Sequence, residues 1–317
     1  MPLSPNVPAA ATVAHPEAAR PGRRSRGLRD RQLKYLLVLP AVLIVGATAL
    51  WPLANSLILS FRMWRLSRST TPGPFVGFEN YLWALTEEPG FWNAVWVTLA
   101  FTLLTVGLTT LIALGVALLL APGGRLRLTV RTLLILPFAM SPALIGVSFR
   151  FMFNPEFGLF DAVFGALIPP LADVAWLSDP TLAFAVVVMA DVWGWTPFLT
   201  LVLIGGLASI PRETVEAAQV DGAGGWRVFR DVTLPQLAPV LGVVVILKSI
   251  FSLKTFDQVY MLTNGGPGTA TQTLAHYVYF NGFKYYDMGY AAATAWIMVI
   301  PMIFLTYAYT RFVFKKP

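Results

Sequence analysis

The sequence predicts an all-α integral membrane protein, and three observations lead there. Only 12% of the 317 residues are charged while 56% are hydrophobic, where a soluble domain carries about 25% charged residues. The apolar residues fall into blocks longer than the roughly 18 that mark a membrane helix. The basic residues gather in alternate connections between those blocks, as in a chain that crosses the bilayer repeatedly. With no cysteine, disulfides, thiolate metal sites and a cysteine nucleophile are excluded together. The two histidines, His15 in a polar tail and His276 in a connecting segment, read as solvated or loop residues and leave little for metal binding or acid–base chemistry.

Residues 1–34 are rich in Ala, Pro and Arg and read as a disordered basic tail. The first apolar run, 35–61, is too long for a secretory signal and reads as a helix that stays in the membrane. Five further spans follow near 93–120, 132–153, 181–208, 237–262 and 287–313, each long enough to cross about 30 Å of hydrocarbon. Six spans put both termini on one side. With the tail inside, segments 1–34, 121–131, 209–236 and 311–317 hold 16 of the 23 Lys and Arg residues. Arg62, Arg65 and Arg68 run against that bias, but the balance sets the termini in the cytoplasm and accounts for the net charge of +7 without nucleic acid. Outside, segments 62–92 and 154–180 carry aromatics and prolines that suit short interfacial elements. The glycine-rich TNGGPGTATQT (263–273) reads as a turn, because no Gly-Lys dipeptide of a phosphate loop occurs in the chain.

The cytoplasmic connection 209–236 is predicted as helix, break, helix. Pro211 suits a first turn, Arg212–Val220 is helix-forming, and Gly222 suits a left-handed cap. A second short helix then runs from Trp226 to about Val232, closed before Pro235. A plain interhelical turn needs only about 2–8 residues, so the length favours a knob gripped by a soluble partner. The string EAAQVDGA with its downstream Phe and Leu-Pro resembles the EAA loop of permease subunits of binding-protein-dependent ABC importers. The likeness extends over YMLTNGGP (260–267) and GYAAA (289–293), and is closest to the carbohydrate branch, the first subunit of maltose- and glycerol-phosphate-type permeases.

That resemblance implies the type I importer permease fold over 35–313, with 314–317 as a cytoplasmic end. It implies a bacterial inner membrane location, a homologous second permease subunit forming a heterodimer, an ATPase dimer and an extracytoplasmic solute-binding protein. ATP and magnesium would sit on the ATPase, leaving this chain with no cofactor and no enzymatic activity of its own. Matched to the motif, Glu216, Ala217, Ala218, Asp221, Gly222, Ala223, Phe229, Leu234 and Pro235 would dock the ATPase, with Glu216 as the acidic contact.

Ionisable groups inside spans are costly and therefore candidates for function. Asp191, Lys248, Lys254 and Asp257 stand out. Lys248, Phe251, Ser252 and Thr255 recur at spacings that share one helical face, mixing a cation, an aromatic ring and two hydroxyls as a sugar site would. The family resemblance implies the same four positions and adds Gly194, Trp195 and Phe198 on the fourth span. At Lys248 this chain departs from the maltose-type pattern, which has a small hydroxyl residue. A lysine there suits a phosphate, sulfonate or carboxylate and leads to the expectation of an anionic sugar or polyol derivative. The competing reading pairs Lys248 internally with Asp191. Lys254 and Asp257 are expected to pair with each other. Two other function classes are weighed against the importer. An ion-coupled secondary carrier would have to use the Asp191/Lys248 region without a visible inverted repeat. A membrane enzyme would need a nucleophile–base pair, and no histidine lies within a predicted span.

Overall fold

The computed structural model describes residues 28–121, 124–160, 162–163, 166–168 and 174–313. Residues 1–27 of the predicted 1–34 tail, the end 314–317 and part of the 154–180 connection lie outside the described residues. The chain divides into two compact units, Met1–Leu53 and Ala54–Pro317. The first holds α1 (Leu28–Val45), a π-helical turn over Gly46–Leu50 and the start of α2 (Trp51–Ser60). Helix therefore begins at Leu28, inside the stretch expected to be disordered. From Leu37 to Ser60 it is long and apolar enough to cross a membrane, with large side chains such as Leu43, Ile44 and Trp51 exposed as a lipid-facing helix requires.

The second unit continues with α3 (Glu79–Thr86), α4 (Pro89–Leu120), α5 (Arg125–Ala139), α6 (Pro142–Met152) and α7 (Pro180–Ala208). Then come α8 (Arg212–Val220), α9 (Gly225–Val228), α10 (Leu234–Leu253), α11 (Asp257–Leu262), α12 (Leu274–Tyr279) and α13 (Met288–Val313). The described residues contain no β-strand, only two isolated bridges. Four helices pass as membrane spans by length and composition, or five if α5 and α6 count as one; α13 offers a shorter apolar stretch, Met288–Phe304.

The third predicted span is thus not one straight helix. Met140 is extended, Ser141 caps α6 by accepting from the Leu144 N–H, and the two halves meet at a 93° bend. Pro137 and Pro142 flank the break, where the missing N–H groups and the ring clash stop a helix from running through. The fifth predicted span is shifted as well. It starts earlier, because α9 passes through a π-helical turn (Phe229–Thr233) directly into α10, with Pro235 in the first turn of α10 rather than beyond a helix end. It stops at Leu253, not 262, so Thr255 lies past the end of the helix that was to carry it.

The core forms around α4 and α7. On α4 the buried residues Ala94, Thr98, Phe101, Thr105, Thr109, Ala113 and Ala117 recur every three or four positions, one face of a helix. Small side chains there let backbones approach, which is how helices associate in lipid without a hydrophobic drive between them. One apolar cluster joins Ala113, Ala117, Leu199, Leu203, Leu237 and Val244; a second gathers Phe101, Ile145, Phe149, Val186 and Val259. The turn 263–273 forms as expected, with Gly265 and Gly268 at positive φ and a cis Gly266–Pro267 bond. Arg65 binds Asp287 at 2.9 Å, and the two line a cavity of about 730 Å³ with Arg68, Glu79 and Trp83.

Candidate functional site

Two assemblies emerge, one on the loop between α7 and α10 and one on the flanks of those helices. In the loop, α8 ends where predicted. Gly222 takes φ +80°, and the amides of Gly222 and Ala223 return to the carbonyls of Gln219 and Ala218 at 3.0 Å, closing the helix end. Glu216, Ala217, Asp221, Gly222 and Pro235 are exposed, Ala218, Ala223, Phe229 and Leu234 half-buried. Val220 and Trp226 are 87% and 72% exposed, and Trp226 packs on Phe229 with centroids 5.5 Å apart. The polar segment thus holds out a tryptophan and a valine in the same short stretch as the exposed Glu216 and Asp221.

The second assembly sits where α7 and α10 lie side by side. Lys248 and Asp191 form a fully buried ion pair, which realises the internal reading of Lys248. The ammonium also donates to Ser252 Oγ at 2.9 Å, and Ser252 shares a hydrogen bond of 3.0 Å with Thr105 of α4. Lys248 Nζ lies 5.2 Å from the centroid of the Trp195 ring. Trp195 continues outward to Phe251 at 4.7 Å and to Phe198 at 6.2 Å. Phe138, from the broken end of α5, stacks on Phe198 at 4.7 Å and meets Trp195 at 5.7 Å. Phe138 and Phe251 stay 39% and 38% exposed. Aromatic faces beside a few fixed polar groups are the usual make-up of a small-molecule site.

The expected solute residues therefore divide. Trp195, Phe198 and Phe251 come together, while Lys248 and Ser252 lie beneath them in the buried network. Gly194 is a packing position: a Cβ there would stand 2.7 Å from Ile145 Cδ1. Thr255, past the end of α10, returns its hydroxyl to the Phe251 carbonyl and accepts from Thr273 through its own carbonyl. Lys254 forms no ion pair with Asp257; its Nζ lies 4.4 Å over the Phe251 ring instead. Phe138 was not foreseen, although the prolines at 137 and 142 signal the break that turns it toward Phe198. His276 is also a correction. It is 1% exposed on α12 and stacks on Phe280 at 4.7 Å, and burial holds its pKa down to about 4. No group of His, Cys, Asp and Glu among the described residues could hold a metal.

Several helices long and apolar enough to cross a membrane, two of them flanking an exposed polar loop, mark a multi-pass membrane subunit. The chain belongs to the family described as binding-protein-dependent transport system inner membrane component, whose profile matches residues 109–316. It is 37% identical over 289 residues to the sulfoquinovosyl glycerol transport system permease protein SmoG of Agrobacterium fabrum, covering 91% of this chain and 92% of that one. It is 35% identical to the trehalose/maltose transport system permease protein MalF of Thermococcus litoralis (89% and 94% covered). The sn-glycerol-3-phosphate transport system permease protein UgpA of Brucella suis shares 34% (90% and 96%). Among solved structures, a chain of a bacterial alginate ABC transporter in complex with its alginate-bound periplasmic protein aligns with TM-score 0.78 at 19% identity, covering 91% of this chain and 97% of that one, a likeness of fold.

Proposed function

We propose that this chain is one permease subunit of an ATP-driven importer. It would pass a sugar or sugar derivative, delivered by an extracytoplasmic binding protein, by alternating access between a partner permease and itself. The observation that carries the reading is the exposed knob of α8 and α9, set between the two helices that bear the aromatic cluster. A soluble ATPase that grips Glu216, Val220 and Trp226 pulls on α7 and α10 together, and through them on Trp195 and Phe251. Hydrolysis and magnesium then belong to that partner. The names of the relatives, for sulfoquinovosyl glycerol, trehalose/maltose and glycerol phosphate transport, support the sugar class.

A second reading, a solute bearing an acid, is favoured by the exposed Lys254. Asp191 already neutralises Lys248, so the cation on offer beside the aromatic cluster is Lys254, held over Phe251. The experiment measures solute-stimulated ATP hydrolysis by the reconstituted complex, with neutral and acidic sugars, before and after Lys254→Gln. Stimulation by at least one sugar supports the importer reading, and an acidic-sugar response that falls about tenfold in the variant, the worth of one charge-assisted bond, supports the acidic solute. No stimulation by any sugar overturns the sugar class. Equal responses of both versions assign Lys254 to packing.

A further inference from the structure

α7 and α10 leave the coupling loop side by side and are fastened at two heights. Near the loop the fastening is steric: the Leu237 and Val240 side chains seat over Gly206, where a Cβ would meet Leu237 Cδ1 at 2.8 Å and Val240 Cγ1 at 2.9 Å. The second fastening is the buried pair Asp191–Lys248. From Ala208 back to Asp191 is roughly 25 Å of helix at about 1.5 Å per residue. Between the two points the contact is apolar, through Leu199, Leu203 and Val244. Packed apolar side chains can shear by small steps, because no charge is left unpaired when they change neighbours. A buried ion pair does not slide, because separating its charges leaves each uncompensated in a low dielectric.

We propose that Asp191 and Lys248 are the pin that delivers the coupling loop's displacement to the aromatic cluster. This rests on the importer reading and names how its stroke is carried. The pair holds α7 and α10 in register at the height of the cluster, and Lys248 also touches Trp195 itself. Through Ser252 and Thr105 the same network reaches α4, so three helices are tied at one level. With the pin in place, a pull on the loop moves Trp195 and Phe251 as one body. Without it, the loop end follows the ATPase while the cluster end lags. Both are positioning residues: in this arrangement the solute meets the rings above them.

The test uses the complete transporter in proteoliposomes, with its binding protein and a sugar that the native complex imports. Uptake and ATP hydrolysis are read in the same vesicles as solute moved per ATP. Asp191→Asn and Lys248→Met are each expected to lower that ratio by about tenfold, within the usual range of coupling between distant sites. The charge exchange Asp191→Lys with Lys248→Asp is expected to bring it back to within about twofold of native. The double variant Asp191→Leu with Lys248→Met removes the pin without stranding a charge, so it assembles even where the single variants do not, and it too is expected to be uncoupled. A native ratio in that double variant overturns the proposal. So does an exchange variant that assembles but stays uncoupled while its half-saturating sugar concentration shifts, the signature of direct solute contact. Uptake by native vesicles that needs no ATP overturns the importer reading instead, and the pin with it.

Discussion

Lys248 and Asp191 show how one residue's role is decided by what faces it. A lone lysine among apolar neighbours invites an anionic ligand, and the spacing of Lys248 from Phe251 and Ser252 is compatible with one. The carboxylate that answers it stands 57 positions away on another helix, a pairing that local periodicity cannot distinguish from any other. His276 is the reverse case. Its segment is polar and turn-rich, so it reads as solvated, yet Phe256, Tyr260 and Phe280 enclose it, and Gly265 at φ +84° passes so close that a Cβ would meet its ring at 2.7 Å. Its Nδ1 is buried without a hydrogen-bond partner. Burial therefore favours the neutral ring and lowers the pKa from 6.5 to about 4. Between those values the opened segment binds a proton that the packed one refuses, so packing is fully stable above about pH 6.5 and weakens as pH falls toward 4. Hydrogen exchange of residues 263–280, corrected for intrinsic rate, should accelerate between pH 7 and pH 5. His276→Phe should flatten that dependence. An unchanged slope in the variant would assign the effect to other groups.

At the scale of elements, hydropathy located the helices better than it located their ends. The run from 132 to 153 is apolar but for Thr132, Ser141, Ser148 and Arg150, so it reads as one span. The break is encoded by Pro137 and Pro142, whose cost to a continuous helix is local and invisible to a hydropathy window. Phe138 joins Phe198 and Trp195 because of that break, which explains why the cluster was only partly legible. LKTFDQVYML likewise stays apolar enough past Leu253 to read as helix, although α10 has already ended. The first half of the loop between α7 and α10 was legible, because its signals are short-range: Gly222 after α8, Pro211 before it; the second helix, expected to close before Pro235, instead runs on into α10. That turn yields a prediction. Gly222 sits at φ +80° with open space where a Cβ would be, so a side chain there meets strain and no clash. Gly222→Val should cost about 1–2 kcal/mol of turn geometry, and a partner that needs the turn formed should lose roughly 5- to 30-fold in affinity. The quantity to measure is ATPase retention on the immobilised permease complex, against a thermal midpoint expected to fall by no more than about a few degrees, since the cost is confined to the turn. Native retention would show that the partner does not read this turn.

At the scale of the molecule, function depends on sidedness. The family fixes a multi-pass membrane subunit, and the charge bias proposes which face of it meets the cytoplasm. Arg62, Arg65 and Arg68 are the exceptions, and two of them have local employment: Arg62 donates to the Gly73 carbonyl at 3.2 Å and Arg65 binds Asp287. Arginines committed to structure of their own weigh less as topological signals than the cluster in the tail, since the rule acts through charges that must be translocated. The chain contains no cysteine, so any cysteine introduced into it is a unique label. Gln219→Cys on α8 and Thr269→Cys in the glycine turn are both at exposed positions and lie on opposite faces in the proposed topology. A membrane-impermeant maleimide applied to intact cells should modify Thr269→Cys and spare Gln219→Cys until the cells are opened, and Ser4→Cys in the basic tail should behave like Gln219→Cys. The reverse pattern would place the α8–α9 knob outside the cell, where no ATP-charged partner could grip it, and the coupling reading would fall with the topology.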